Sequence, residues 1–319
     1  MADTPVKIYV HGSLAFDRIM DFPGYFKDCI LPDKIHDLSV SFTVESVNEL
    51  RGGSGGNIAY NLSLLNEQPY IINGVGTDAE SYLTFLRERN IPTDHIEIHS
   101  EVATSSASII TDRSNNQITG FSIGASGKPT TFSFHNVDAD ASIAIFCPAS
   151  NTSDSMKLIN ECKELKIRYI FEPAQTINDF TGDQLKAAIS GAEMFTVNDY
   201  ELELAQRITG WDEARILEET NVLVVTVGEK GSEMRTDEKI VKIPAANNHE
   251  LKDPTGAGDA YRAGLLVGMA RGLRLKHQGR LGAVAASFAV EHIGTQEHVY
   301  SIDDFRTRYQ ESFEADCPI

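Results

Sequence analysis

The sequence predicts an α/β fold with a central, mostly parallel sheet, helices on both faces and a small additional β layer. Short apolar runs alternate along the chain with segments of helical spacing, which is typical of parallel strands joined by helical crossovers. Two other regions have the patterns of antiparallel strands. Such strands bury only one face, so these regions predict the additional layer.

The strands of the main sheet are predicted where short apolar runs occur: residues 7–10, 71–75, 144–147, 167–171, 194–197 and 222–227. Apolar residues recur with helical spacing between these runs: residues 57–65, 81–89, 155–165, 182–190 and 199–208. From Asp259 onward the chain is predicted to be mainly helical.

The additional layer is predicted from two regions. Residues 38–45 alternate strictly between apolar and polar side chains (LSVSFTVE), which predicts a half-buried strand of an antiparallel sheet. Residues 104–112 and 117–123 form the second region, and residues 113–116 between them predict a hairpin turn. The apolar face of this layer must cover the main domain, a ligand or a partner chain.

Composition limits the kind of partner. The chain of 319 residues carries 46 acidic and 28 basic side chains, a net charge of −18. This charge disfavours nonspecific attraction to nucleic acids and anionic membranes, although a nucleotide needs only a local positive field. The start of the chain lacks a signal-peptide pattern, and no run approaches the ~20 apolar residues of a membrane span. Together with four scattered cysteines, this predicts a cytoplasmic protein.

The most informative stretch is residues 253–264 (DPTGAGDAYRAG), a loop of small residues followed directly by helical spacing. A helix that begins in this way exposes unpaired N–H groups at the positive end of its dipole, which predicts an anion site. Asp259 stands at the same helix start. Its position is compatible with a helix cap, and also with a base that accepts a hydroxyl proton while the loop holds a phosphoryl group.

A second glycine-rich stretch covers residues 51–57 (RGGSGGN). Four glycines in five residues before a helix indicate a tight turn or a backbone that another group approaches closely. Asn57 can cap that helix or bind a polar ligand. The stretch does not match the dinucleotide pattern G-x-G-x-x-G, because the sixth position from Gly53 is Ile58. The P-loop pattern and the H-R-D and D-F-G signatures of protein kinases are absent from the sequence.

These two stretches resemble the signature motifs of the ribokinase-like (PfkB) family. Residues 51–57 resemble its G-G-x-x-x-N pattern. Residues 253–259 resemble its D-T-x-G-A-G-D pattern, spelled here with Pro254 between Asp253 and Thr255. Three more segments are similar to family motifs in the family's order: the opening motif at 12–17, N-x-x-E at 198–201 and T-x-G-x-x-G at 226–231.

The resemblance covers nearly the whole chain. It implies one ribokinase-like kinase domain over residues 1–319, with a β lid formed by about residues 13–51 and 102–135. It also implies a role for each matching residue near the transferred group. Asp259 would be the general base, and the anion hole would be formed by the backbone amides of Gly256, Ala257 and Gly258.

The remaining roles concern the ligands. Substrate hydroxyls would be bound by Asp17, Gly53 and Asn57. Magnesium and its waters would be organised by Asn198 and Glu201. The nucleotide site would be lined by Thr226, Gly228 and Gly231. Asp253 and Thr255 stand where many relatives bind a monovalent cation, so the implied cofactors are ATP, Mg²⁺ and K⁺.

Several of these segments also have a simpler interpretation. Asn198 and Glu201 fit a solvated helix start, and residues 226–231 fit a hairpin turn between two Val-rich strands. Arg262 lies one turn after Asp259, where it either meets a phosphate or lies on the helix surface. No metal-ligand spacing is found among His11, His36, His95 and His99, and Trp211 is predicted to anchor a turn.

The resemblance implies an ATP-dependent phosphotransferase with an alcohol acceptor. The spelling of both glycine motifs is most similar to bacterial and archaeal adenosine (nucleoside) kinases, and an apolar layer bearing Phe42 and Phe121 suits a base. The expected acceptor is therefore the ribose 5′-hydroxyl of a nucleoside. A sugar kinase for ribose, fructose or a related carbohydrate remains an alternative, as does a non-catalytic nucleotide-binding regulator. The expected assembly is a monomer or a homodimer formed through the lid.

Overall fold

The computed structural model describes residues 5–31, 39–114, 116–147, 149 and 151–319. The strands in these residues are β1 Lys7–His11, β2 Ala15–Asp21, β3 Ser46–Gly52, β4 Pro69–Gly76, β5 Ile96–His99, β6 Ser105–Thr111, β7 Gln117–Ser122, β8 Ser142–Phe146, β9 Arg168–Phe171, β10 Met194–Asn198, β11 Val222–Thr226, β12 Ser232–Arg235 and β13 Ile240–Ile243. The helices are α1 Phe26–Cys29, α2 Ser54–Leu64, α3 Glu80–Glu88, α4 Thr152–Leu165, α5 Gly182–Ile189, α6 Asp199–Thr209, α7 Glu213–Glu219, α8 Ala257–Ala270, α9 Leu275–Ala289 and α10 Ile302–Phe313.

Nine strands form the main sheet of the described chain, in the order β13-β12-β11-β10-β9-β8-β1-β4-β5. Neighbouring strands are parallel throughout, except that β12 and β13 extend the sheet in antiparallel pairing. All six predicted strands are present. The fold-class prediction of a mostly parallel sheet with helices is confirmed.

Helices cover both faces of this sheet. In β1, Ile8 and Val10 pack into the core cluster formed with α2, α8 and α9, whereas Tyr9 packs into the cluster formed with α4, α5 and α6. Alternate side chains of a strand point to opposite faces, so a central strand buried on both sides needs the continuous apolar run that the sequence shows. No helix in the described part of the chain is both long and apolar enough to cross a membrane.

A second, small sheet has the order β3-β2-β6-β7. The predicted hairpin over residues 104–123 is confirmed by the antiparallel pair β6–β7. The strand predicted at residues 38–45 is wrong: residues 39–44 have no regular structure, and β3 begins at Ser46, opposite Asp21. Leu38 lies outside the described residues.

The error has a physical cause in Phe42. Its ring packs edge-on against Phe22 and Phe26, with centroid distances of 4.9 and 5.2 Å. Side-chain exposure still alternates from residue 39 to 45. The alternating sequence pattern therefore predicted correctly that one face of this segment is less exposed. It did not predict a strand, because an extended segment can pack that face against aromatic rings without forming the hydrogen bonds of a β-sheet.

Candidate active site

A cleft of about 710 Å³ lies where the carboxyl end of the main sheet, the small sheet and the start of α8 meet. Ligands of open α/β sheets bind outside the carboxyl ends of the strands. The cleft brings together most of the predicted site residues, namely Asp17, Gly53, Asn57, Asn198, Glu201, Thr226, Gly228, Thr255, Gly256, Gly258 and Asp259. Ala257 and Gly231 line an adjacent cavity of about 300 Å³. Asp253 lines neither; its Oδ1 accepts a hydrogen bond from the Thr255 amide at 2.9 Å.

The start of α8 has unpaired amides. Gly256 is the N-cap residue, in the left-handed region with φ 81°, a conformation that glycine adopts without strain. The first four N–H groups of a helix have no acceptor within the preceding turn. Here the amide of Ala257 donates to Pro254 O and that of Ala260 to Gly256 O, which leaves the amides of Gly256, Gly258 and Asp259 without a protein acceptor in the described residues. These free donors suit an anion.

The Asp259 carboxylate accepts no hydrogen bond from the backbone of its own helix start within the described residues. Its Oδ2 instead accepts a hydrogen bond from Asn57 Nδ2 at 2.8 Å. Burial raises the pKa of Asp259, while the nearby Arg262 and the Asn57 bond act to lower it. A carboxylate withdrawn from water in this way is a stronger base than one in solution, and it lies beside the free amides.

Asn57 is held by a buried hydrogen-bond network. Its Oδ1 accepts from Thr295 Oγ1 at 2.8 Å and from Gln296 Nε2 at 2.9 Å. Gln296 Nε2 also donates to Tyr82 Oη at 2.6 Å, and Tyr82 Oη donates to Gly52 O at 2.8 Å. With two donors on Oδ1, the amide must turn Nδ2 toward Asp259. The network therefore fixes the orientation of the amide that holds the carboxylate.

The glycine-rich stretch makes this network possible. A Cβ on Gly56 would lie 2.0 Å from Tyr82 Oη, so a side chain there would displace the tyrosine hydroxyl. Gly53 has φ 85°, and a Cβ would lie 2.5 Å from Ser13 O. The close-approach interpretation of this stretch is correct, and the groups that approach are the protein's own side chain and backbone.

Asp17 lies on β2 of the small sheet and faces the cleft. Burial raises the pKa of its carboxyl. Of the two aromatic residues expected to face a ligand, Phe121 lines the cleft and is 55% exposed. The expectation for Phe42 is wrong, because its ring packs against Phe22 and Phe26 and it is not among the residues that line the cleft.

Asn198 and Glu201 begin α6 at the end of β10. Asn198 Oδ1 accepts from the Glu201 amide at 2.7 Å, and Glu201 Oε2 accepts from the Asn198 amide at 2.9 Å, which forms a capping box. The helix-start interpretation is therefore realised, yet both residues also line the cleft. Only Oε2 of Glu201 is used in the box, so Oε1 is available to a metal-bound water. No group of three or more His, Cys, Asp or Glu side chains in the described residues is placed to hold a metal ion.

Thr226 ends β11, and a single 3₁₀ turn, Gly228–Lys230, leads into the antiparallel strand β12. The segment is thus the predicted hairpin, and it separates the cleft from the adjacent cavity, which Thr226 and Gly228 both line. That cavity is largely apolar; its walls include Leu251, Tyr261 and Val290. An apolar slot of this kind accepts a flat ring.

Sequence reasoning missed four residues of the site: Tyr82, Glu172, Thr295 and Gln296. For three of them no local pattern exists, because they join the hydrogen-bond network around Asn57 from segments far away in the chain. Glu172 had a usable signal. It directly follows strand β9, and the carboxyl ends of parallel strands meet at one edge of the sheet.

Arg262, which the sequence left between two interpretations, does not lie on the surface: it is 7% exposed. Its Nη2 lies 2.7 Å from Glu172 Oε1, and both residues line the cleft. Burial raises the pKa of Glu172, whereas the guanidinium acts to lower it.

Comparison with known proteins identifies the relatives of this chain. The model of the pfkB family of carbohydrate kinases matches residues 23–301. The nucleoside kinase of Methanocaldococcus jannaschii is 30% identical over 274 residues, 85% of this chain and 89% of that protein. The structure of Burkholderia thailandensis nucleoside kinase in complex with inosine superposes with a TM-score of 0.83 at 30% identity, covering 97% of this chain and 99% of that one. The solved M. jannaschii nucleoside kinase gives a TM-score of 0.86 at 26% identity over 96% and 99% of the two chains. The chain belongs to the pfkB family of carbohydrate kinases.

Proposed function

We propose that this chain transfers the γ-phosphoryl group of ATP to the 5′-hydroxyl of a purine nucleoside. The observation that carries the proposal is the placement of the Asp259 carboxylate beside the free amides of α8, in a cleft with an aromatic wall at Phe121. The nucleoside kinases that match nearly the full chain support the choice of acceptor.

Asp259 accepts the proton of the attacking hydroxyl in this proposal. The oxygens of the transferring group then lie against the amides of α8. Gly256, Ala257 and Gly258 were the expected donors. Because the Ala257 amide already donates to Pro254 O, we assign the anion hole to the amides of Gly256, Gly258 and Asp259.

The acceptor is bound from the small sheet and from α2. A carboxylate accepts two neighbouring hydroxyl donors, which suits Asp17 to the ribose diol. Gly53 brings its backbone close to the sugar. Asn57 has one Nδ2 hydrogen left for a ribose hydroxyl, since its Oδ1 already has two donors and its other hydrogen faces Asp259. The nucleobase of the acceptor lies against Phe121.

The residues around the hairpin fit ATP and its cation. We assign the adenine to the apolar cavity beside Gly228 and Gly231 and the triphosphate to the cleft near Thr226. Mg²⁺ prefers oxygen ligands and keeps several waters, which Asn198 and Glu201 suit; when bound, it neutralises charge on the phosphates. We also propose that K⁺ binds at Asp253 and Thr255, and the kinetic experiment below tests this by comparing activity with and without potassium.

The test is a comparison of kcat/KM for adenosine, guanosine, inosine and cytidine with that for ribose and fructose. MgATP is held fixed, and each acceptor is assayed with and without potassium. The proposal expects a purine nucleoside to be the best acceptor. A simple sugar that exceeds every nucleoside by tenfold, about 1.4 kcal/mol in transition-state preference, would show that the chain is a sugar kinase. Activity on none of the six would favour a nucleotide-binding regulator.

A further inference from the structure

A buried ion pair lies in the floor of the cleft. Arg262 and Glu172 have side chains that are 9% and 1% exposed, and Nη2 lies 2.7 Å from Oε1. The guanidinium also lies over the first turn of its own helix: a Cβ on Gly258 would be 2.3 Å from Arg262 Nη1. Glycine at position 258 therefore gives the guanidinium room beside the unpaired amides.

The N-terminus of α8 is an unfavourable place for the Arg262 guanidinium unless an anion lies beside it. The N-terminus of a helix carries the positive end of the dipole and favours negative groups. The partner Glu172 compensates only in part. The 2.7 Å contact at Oε1 is an ion pair without the angles of a hydrogen bond, and within the described residues neither carboxylate oxygen nor Arg262 Nε has a hydrogen-bond partner. A buried ion pair with such incomplete hydrogen bonding does not stabilise a fold efficiently, so its presence calls for a ligand.

The missing partner has the chemistry of a phosphate. Arg262 and the amides of Gly258 and Asp259 together present a planar guanidinium and two N–H donors to one side of the cleft. Guanidinium groups match the oxygens of phosphate with paired hydrogen bonds. Asp259 follows Gly258 directly in the chain and lines the same cleft as Arg262. The guanidinium is thus beside both the proposed base and the proposed anion hole.

We propose that Arg262 is a catalytic residue that binds the transferring phosphoryl group, and that Glu172 is the counter-ion that holds the guanidinium in place before nucleotide binds. On phosphate binding, the guanidinium shares its donors between Glu172 and the phosphoryl oxygens. The inference rests on the proposed phosphoryl transfer but does not depend on a nucleoside being the acceptor.

The experiment compares two variants that break the same ion pair, Arg262→Met and Glu172→Gln. Calorimetry gives the Kd of ADP and of the non-hydrolysable analogue adenylyl imidodiphosphate, which differ in the third phosphate. Both are titrated in EDTA, so that a metal ion held by Glu172 cannot contribute. Loss of a hydrogen bond to a charged group predicts that Arg262→Met weakens the analogue about tenfold or more relative to ADP. Glu172→Gln leaves the guanidinium uncompensated and does not weaken the analogue.

The matched control is Arg308→Met. Arg308 and Glu291 form an ion pair of similar burial, 8% and 12% exposed with a 3.0 Å contact, outside the residues that line the cleft. This variant loses stability, but the ratio of the two Kd values stays as in wild type. If Arg262→Met is too unstable to assay, Arg262→Lys is used instead, because it keeps the charge without the planar donors. It should weaken binding of the analogue relative to ADP, but by less than the tenfold expected for Arg262→Met.

Two results would overturn the proposal. Equal weakening of the analogue in Arg262→Met and Glu172→Gln would mean that the pair only supports the fold. An unchanged ratio of the two Kd values in Arg262→Met would mean that the guanidinium does not contact the third phosphate. Neither measurement uses an acceptor, so a failed acceptor panel and a failed Arg262 assignment are separate outcomes.

Discussion

The contact between Asn57 and Asp259 allows a quantitative prediction. Asn57→Leu keeps a side chain of similar shape but removes the 2.8 Å donor to Asp259 Oδ2 and the acceptor used by Thr295 and Gln296. A hydrogen bond to a charged group contributes about 1.5–3 kcal/mol. Since each 1.36 kcal/mol of barrier is a factor of ten in rate, kcat should fall about ten- to a hundredfold.

The pH profile separates this effect from a general loss of structure. Burial raises the pKa of Asp259, and the bond from Asn57 opposes that rise because it stabilises the ionised carboxylate. Removing the donor therefore raises the pKa of Asp259 further. The base works only when ionised, so the acidic limb of the kcat/KM profile should move to higher pH in Asn57→Leu.

Asn61→Leu is the matched control. Asn61 lies one turn further along α2 and is fully buried; its Nδ2 donates to Asn57 O and its Oδ1 pairs with His298 Nε2. The same substitution there also leaves buried polar groups unpaired and should lower the unfolding temperature, but it does not touch Asp259. An acidic limb that is unchanged in Asn57→Leu, or displaced equally in both variants, would refute the positioning role of Asn57.

Two more predictions concern the base and the aromatic wall. Asp259→Asn should lower kcat by about 10²–10⁴ while ATP binding is kept, and steady-state kinetics with calorimetry will test this; retention of more than about a tenth of kcat would remove Asp259 from the role of base. Phe121→Ala should raise KM for the nucleoside, because Phe121 lines the cleft, whereas Phe42→Ala should lower thermal stability and leave that KM unchanged. An acceptor KM that responds to Phe42 instead would place the base of the nucleoside elsewhere.

The central strands could be predicted from sequence because burial on both faces demands a continuous apolar run. The edge of the sheet carries no such signal. β5 is only four residues long, and β13 contains two exposed residues, one part-buried residue and only one buried residue. The wrong strand at residues 38–45 shows the converse: a regular alternation records burial of one face but not the hydrogen-bonding partner.

The two glycine stretches located the site because glycine and a helix start constrain the backbone locally. The residues that complete the site have no such local pattern. Gln296 is separated from Asn57 by 239 residues, and its role depends on how the loop before α10 packs against α2. Arg262 was found but not assigned, because the choice between surface and cleft depends on Glu172, which follows strand β9 and is far from α8 in the sequence.

In the structure, the two glycine-rich stretches are connected by hydrogen bonds. Asn57 from the first holds Asp259 from the second, and the absence of a side chain at Gly56 lets Tyr82 reach Gly52 O and support Gln296. The proposed base is thus oriented by the main domain before any substrate binds, as electrostatic preorganisation requires. The small sheet contributes Asp17 and Phe121 to the lining of the cleft. It follows that substitutions in the Asn57 network should act mainly on kcat, and substitutions in the small sheet mainly on KM for the acceptor.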